Sequence, residues 1–178
     1  YTENFDSVAA GSWPLGWSKV GTTGSAYTSE SYDYSPPNGV YMYSTSSSAV
    51  ATVSLPPVTM SNVDLNLKLM GRSNYTAGGI LEVGYLTTPG DASSFVQIGS
   101  ITFPTLVYTQ YTLPLGNVNG TRYFAFRASY SPANSILLDD VEIYESLAVP
   151  PNAATLSFPL NGMTTFPNPL LQWAPATT

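Results

Sequence analysis

Between Val63 and Leu69 the chain reads Val-Asp-Leu-Asn-Leu-Lys-Leu, a strict two-residue alternation. Successive side chains of a strand point to opposite faces, so Val63, Leu65, Leu67 and Leu69 share one face and Asp64, Asn66 and Lys68 the other. That pattern describes a sheet with one face on a core and one in water. A slip of one residue would bury the three polar groups, so the register is strongly specified. No segment shows a sustained 3.6-residue apolar period with capping residues. The core must therefore be built from sheets alone.

The rest of the chain repeats the pattern in shorter pieces. Tyr1 to Asp6 reads as a first strand ending in acids, followed by a loop from Ser7 to Gly16 flanked by Trp13 and Trp17. Weak strands follow over Trp17 to Val20 and Ala26 to Tyr34. Ser35-Pro36-Pro37-Asn38-Gly39 is turn chemistry, with Pro fixing φ and Asn-Gly expected to supply positive φ. Strands are expected over Val40 to Ser44 and through Ala49, Ala51, Val53 and Leu55, the latter stopped by Pro56-Pro57. Further strands are expected over Ile80 to Thr87, Phe95 to Phe103 and Tyr108 to Leu115. Gly116 to Gly120 reads as a turn before an aromatic strand, Thr121 to Tyr130, in which Phe124 and Phe126 oppose Tyr123 and Arg127. About ten short strands with Pro/Gly punctuation predict an all-β, two-sheet antiparallel β-sandwich, of which a jelly roll pairs the first and last strands.

Composition removes several function classes. Only 9% of the 178 residues are charged and the net charge is −6, against roughly 25% charged in an ordinary soluble domain. The five cations, Lys19, Lys68, Arg72, Arg122 and Arg127, are too few for a phosphate-binding surface, which argues against nucleic acid and anionic membranes as partners. Without Cys there are no disulfides or thiolate sites, and without His no Ser-His-Asp or Cys-His mechanism. No stretch approaches the length of a membrane-spanning segment. A polar, uncharged surface rich in Ser, Thr, Asn and Gly fits an exported bacterial β protein. A start at Tyr1 rather than Met is what a removed or omitted secretory leader would leave.

Two acidic clusters stand at the ends of the sandwich: Glu3-Asn4-Phe5-Asp6, and Asp139-Asp140 inside Ser135-Ile136-Leu137-Leu138-Asp139-Asp140-Val141-Glu142-Ile143-Tyr144. Adjacent Asp residues are unfavourable in a strand and repel each other. A hard cation with oxygen ligands would compensate them. If the first and last strands are neighbours, Glu3, Asp6, Asp139 and Asp140 are the candidate ligands of a structural calcium ion. A catalytic pair of carboxylates is not expected, because side chains of adjacent strand residues diverge. The aromatic content, 13 Tyr, 7 Phe and 3 Trp, instead suggests sugar binding on ring faces. The candidates are Trp13, Tyr41, Tyr43, Tyr75, Tyr108 and Tyr111. Asn74-Tyr75-Thr76 and Asn119-Gly120-Thr121 also match the glycosylation sequon, a pattern frequent by chance.

Five pieces in order resemble a known family: Glu3-Asn4-Phe5-Asp6 with Pro14-Leu15-Gly16-Trp17; Ser35 to Tyr43; Leu81 to Asp91; Tyr123-Phe124-Ala125-Phe126-Arg127; and Ile136 to Ile143. Together they resemble the bacterial cleaved-adhesin or choice-of-anchor J domains, relatives of the MAM jelly rolls. The resemblance implies a secreted or surface-anchored protein, a structural calcium held by the first-strand acids and the Asp139-Asp140 pair, and a role in adhesion or carbohydrate binding. The family commonly has Glu where Asp6 stands. Residues 1–146 are assigned to this domain and 147–153 to a Pro-rich linker. Residues 154–178 resemble the start of a fibronectin-type or Ig-like module. The expected function is a non-catalytic extracellular module whose partner is a glycan or a host or cell-surface protein. The alternatives are a filament subunit that self-associates through residues 154–178, and the targeting module of a secreted hydrolase.

Overall fold

The computed structural model describes residues 1–130, 133, 135–146, 156–158 and 171–173. Contacts divide the chain into two units, Tyr1–Ser146 and Leu147–Thr178. In the first unit ten strands run in order: β1 Thr2–Glu3, β2 Ser18–Val20, β3 Ser25–Ser29, β4 Gly39–Tyr43, β5 Thr52–Ser54, β6 Val58–Ser73, β7 Gly79–Leu86, β8 Phe95–Phe103, β9 Thr109–Ala128 and β10 Ser135–Glu145. A single 3-10 turn, Ala92–Ser94, precedes β8, with Asp91 capping it by accepting from the Ser93 N–H. In the second unit, β11 Leu156–Phe158 pairs antiparallel with β12 Gln172–Trp173. The expected linker, 147–153, and most of the residues behind the Ig-like and self-association readings lie outside the described residues.

The first unit is a β-sandwich of the jelly-roll kind. Its strands follow the order β2-β5-β9-β6-β10-β4-β3, with β1 added to β10, and β7 and β8 added to β9. One sheet is β3-β4-β10-β6 with the first part of β9; the other is β2-β5 with the second part of β9, then β7 and β8. The two are joined because β9 belongs to both. Thr109 to Arg122 pair with β6, and Tyr123 to Ala128 pair with β7.

The predicted turn at Gly116 to Gly120 is therefore not a turn. Gly116 and Gly120 do have positive φ, +78° and +94°. They serve as irregularities that bend one continuous strand from sheet to sheet, opposite register shifts in β6 between Met60 and Val63 and between Leu65 and Asn66. Bulges of this kind kink a strand without ending it. A turn and a corner use the same residues, and the local sequence does not distinguish them.

The first and last strands do pair, Thr2 opposite Glu142 and Glu3 opposite Val141. The alternation over Val63 to Leu69 faces as predicted, with Leu65, Leu67 and Leu69 fully buried. They meet Val53, Leu81, Val83, Phe124, Phe126, Ile136, Leu138 and Val141 in one core. Trp17 closes one end of it, edge-on to Phe5 at 5.1 Å and to Phe126 at 6.1 Å. Its indole N–H donates to the Tyr1 hydroxyl.

Two local expectations change. β3 ends at Ser29 rather than Tyr34, because the following segment is drawn onto the outside of the sheet by contacts described below. Asn38 and Gly39 do not have positive φ; the turn instead contains a cis Pro36–Pro37 bond. Gly39 is required for space, since a Cβ there would run into the Tyr32 carbonyl oxygen.

Phe126→Ala should lower stability by about 4 kcal/mol, as expected for emptying a buried aromatic site that Trp17 and its neighbours only partly refill. Urea unfolding followed by tryptophan fluorescence measures it. A loss below about 1 kcal/mol would show that Phe126 is not a core anchor.

Candidate functional site

The site grows from the outer face of the β3-β4-β10-β6 sheet. Residues in register across it are Tyr27, Tyr41, Leu137 and Arg72. Leu137 alternates with the core residues Ile136 and Leu138, so it faces outward, yet it has no exposed surface. A layer of tyrosines covers that face. Tyr41 packs at 5.1 Å from both Tyr27 and Tyr32 and at 6.4 Å from Tyr43, its two strand neighbours being joined by the loop residue Tyr32. The Tyr75 phenol neighbours that of Tyr32. Tyr108 donates its hydroxyl to the Tyr32 carbonyl at 2.6 Å, packs 5.6 Å from Tyr34 and lies beneath the Arg72 guanidinium at 5.1 Å. Tyr27, Tyr34 and Tyr75 keep 39%, 51% and 76% of their surface exposed, so the layer has an apolar underside and an accessible rim.

Burial, then the neighbouring phenols Tyr27, Tyr32, Tyr75 and Tyr43, push the Tyr41 hydroxyl up to about 12. Burial also raises Tyr108, with Arg72 opposing. Tyr41 and Tyr108 therefore stay protonated at neutral pH, each able to donate and accept a hydrogen bond.

What holds the loop half of this layer is Asp139. Its Oδ2 accepts from the backbone N–H of Tyr34 at 2.7 Å and of Ser35 at 3.0 Å. Its Oδ1 accepts from the Asp140 N–H at 2.7 Å. Asp140 has φ +46° and sits at a break in register between Asp139 and Glu142; its Oδ1 accepts from the Ser35 hydroxyl at 2.8 Å. The adjacent acids are thus accommodated by a β-bulge that turns them apart and by backbone donors. Compensation for Asp139 comes from the chain itself.

Of the predicted ligand-binding residues, Tyr41, Tyr43, Tyr75 and Tyr108 meet in the layer. Trp13 and Tyr111 do not: Trp13 stacks on Trp17 at 6.5 Å, Tyr111 meets Phe103 edge-on at 5.1 Å, and both pack against the core. Tyr111 lies on the inward side of β9, a parity that the alternation with Leu113 and Leu115 already implies. Tyr27, Tyr32, Tyr34 and Arg72 were not singled out from the sequence. Their signal is pairing across strands, which single-strand alternation does not contain.

Of the predicted metal ligands, Glu3 accepts from the Phe5 N–H at 2.8 Å and Asp6 from the Asn4 amide at 2.6 Å. Among the described residues no group of three or more acidic side chains is placed to hold a metal. Among the described residues three buried side-chain oxygens have no hydrogen-bond partner, Thr52 Oγ1 and, on the two segments considered next, Asp6 Oδ1 and Asn38 Oδ1. Asp6 and Asn38 lie on segments in contact, since Asn38 Nδ2 donates to the Val8 carbonyl at 2.9 Å.

No protein-family model and no curated sequence matches the chain. Its fold is similar to that of solved structures. The K1 cleaved adhesin domain of Lys-gingipain from Porphyromonas gingivalis W83 superposes with TM-score 0.61 at 20% identity, covering 82% of this chain and 98% of that one. The K2 cleaved adhesin domain of Lys-gingipain gives TM-score 0.63 at 20% identity over the same shares. The CBM22-2 xylan-binding domain of Paenibacillus barcinonensis Xyn10C gives 0.57 at 12% identity, covering 82% and 99%. These likenesses establish a β-sandwich of the type used by adhesin and carbohydrate-binding domains.

Removing Asp139 strands three backbone donors beneath the tyrosine layer. Asp139→Ala should cost about 3 kcal/mol and make Tyr32 and Tyr34 more accessible to iodination, while Asp139→Asn retains part of the contact. Desolvation lifts the Asp139 carboxyl from 3.8 to about 6, against the three backbone N–H bonds that lower it. Its folded pKa lies above the unfolded one, so its contribution is greatest below about pH 4 and is lost as pH rises through about 6. Wild type should therefore lose up to about 3 kcal/mol relative to Asp139→Asn across that window. Parallel unfolding curves for the two proteins from pH 4 to 7 would contradict this.

Proposed function

We propose that the chain is a non-catalytic, extracellular glycan-binding module of the cleaved-adhesin type. The observation that carries this reading is the tyrosine layer. Seven tyrosines leave the core, converge on one outer face and present exposed rings at its rim. Aromatic faces take the C–H surface of a sugar while hydroxyls, amides and carboxylates take its polar edge. Adhesin and xylan-binding domains with the same fold support the class. No helix in the described residues is long and apolar enough to cross a membrane.

Calcium belongs to the same proposal in a structural role. Asp6 and Asn38 would hold it through their unpartnered oxygens, with backbone carbonyls completing a hard-oxygen set. Asp139 is committed to backbone N–H groups. Bound there, the ion would tie the segment after β1 to the turn before β4. Adhesion through a host or cell-surface protein, or service as a hydrolase's targeting module, would use the same tyrosine surface.

Tyr27→Ala and Tyr75→Ala change exposed rings, so melting temperature should hold while affinity on a glycan array falls about tenfold or more, in line with the loss of one stacking contact. Unchanged binding by both variants removes the layer from the site. Saturating calcium should raise the melting temperature by about 5 °C over chelator-treated protein, and Asp6→Ala or Asn38→Ala should abolish the difference. An identical melt with and without chelator would sink the calcium assignment.

A further inference from the structure

Beside the tyrosine layer lies a groove of about 710 Å³ that core packing does not explain. It crosses three adjacent strands. Asp139, Met70 and Gln110 form one cross-strand row, and Glu142, Lys68 and Thr112 another. Met70, Gln110, Lys68 and Glu142 all line it, and Tyr34 forms part of its wall. Tyr34 is also the tyrosine that packs on Tyr108, so the groove and the layer share a side chain and form one continuous surface.

The charge of the groove is specific. Glu3, Asp140 and Glu142 contribute carboxylates to its lining, against the single ammonium of Lys68. Lys68 is moreover held in an ion pair with Glu142 and lies 5.9 Å from the Tyr144 ring. A uronate or sulfate entering here meets a net negative wall with its one cation already engaged. A neutral sugar meets carboxylate acceptors, the Gln110 amide and the apolar Met70 side chain, the mixture that binds hydroxyl-rich rings.

We propose that this groove is the second half of the glycan site. It receives the continuation of a neutral polysaccharide chain whose leading sugar packs on Tyr34, and it rejects acidic polysaccharides. This rests on the glycan-binding reading above and adds the chemical class and the direction of the chain.

The test is affinity electrophoresis of the full chain in gels containing neutral polymers (β-glucan, galactomannan, uronate-free xylan) or acidic ones (polygalacturonate, alginate, chondroitin sulfate). Gln110→Trp fills the groove from an exposed position and Tyr75→Ala tests the layer. Melting curves confirm that each variant is folded. The expected result is retardation of wild type by a neutral polymer, at least about tenfold weaker retardation by every acidic one, and loss of neutral binding in Gln110→Trp. Neutral binding that survives Gln110→Trp but not Tyr75→Ala overturns the groove while leaving the layer in place. Equal retardation by acidic and neutral polymers overturns the charge argument. No retardation in any gel removes the glycan-binding reading itself, and the groove proposal with it. Gln110→Ala provides a second, smaller change, expected to weaken neutral binding severalfold.

Discussion

The outer face of this sandwich depends on one buried carboxylate. Asp139 accepts three backbone N–H groups, two of them from the loop that carries Tyr32 and Tyr34. A carboxylate taken out of water is costly unless donors replace its hydration. Here two of the donors come from the loop itself, so the carboxyl group fixes a segment whose rings also pack on Tyr41 and Tyr108. The roof over Leu137, the Tyr108 contact with the Tyr32 carbonyl and the wall that Tyr34 lends to the groove all follow from where that loop is held.

Local strain falls where this arrangement is built. Asp140 and Phe5 are two of the three non-glycine residues with positive φ among the described residues. Asp140 lies at the bulge beside Asp139, and Phe5 follows the strand that pairs with β10. Conformations of this kind persist only where the surroundings enforce them. At Asp140 the enforcing contacts are the Ser35 hydroxyl and the neighbouring Asp139 carboxylate. Phe5 is enforced by burial against Trp17 and by the Glu3 carboxylate on its own N–H.

Much of the fold was legible in the sequence because alternation reports burial directly. The inward faces of β6 and the second part of β9 read correctly from Leu65-Leu67-Leu69 and Phe124-Phe126. The pairing of first and last strands followed from topology. What alternation does not report is which strands become neighbours. Tyr27 and Tyr41 meet through the β3–β4 register, and Tyr32 joins them through a loop fixed by a residue more than a hundred positions away. The same blindness hides the partners of Asp139. Two adjacent acids do require compensation, but a sequence does not show that the compensating groups are the N–H groups of Tyr34 and Ser35.

The sharing of β9 between the sheets has a mechanical side. Sandwiches closed by separate strands and loops allow one sheet to shear over the other at the cost of side-chain contacts alone. In this chain a single backbone is laddered to β6 in one sheet and to β5 and β7 in the other, so sliding the layers must tear hydrogen bonds in sequence along a covalent splint. A module built in this way resists tension by its connectivity, without any cross-link between side chains.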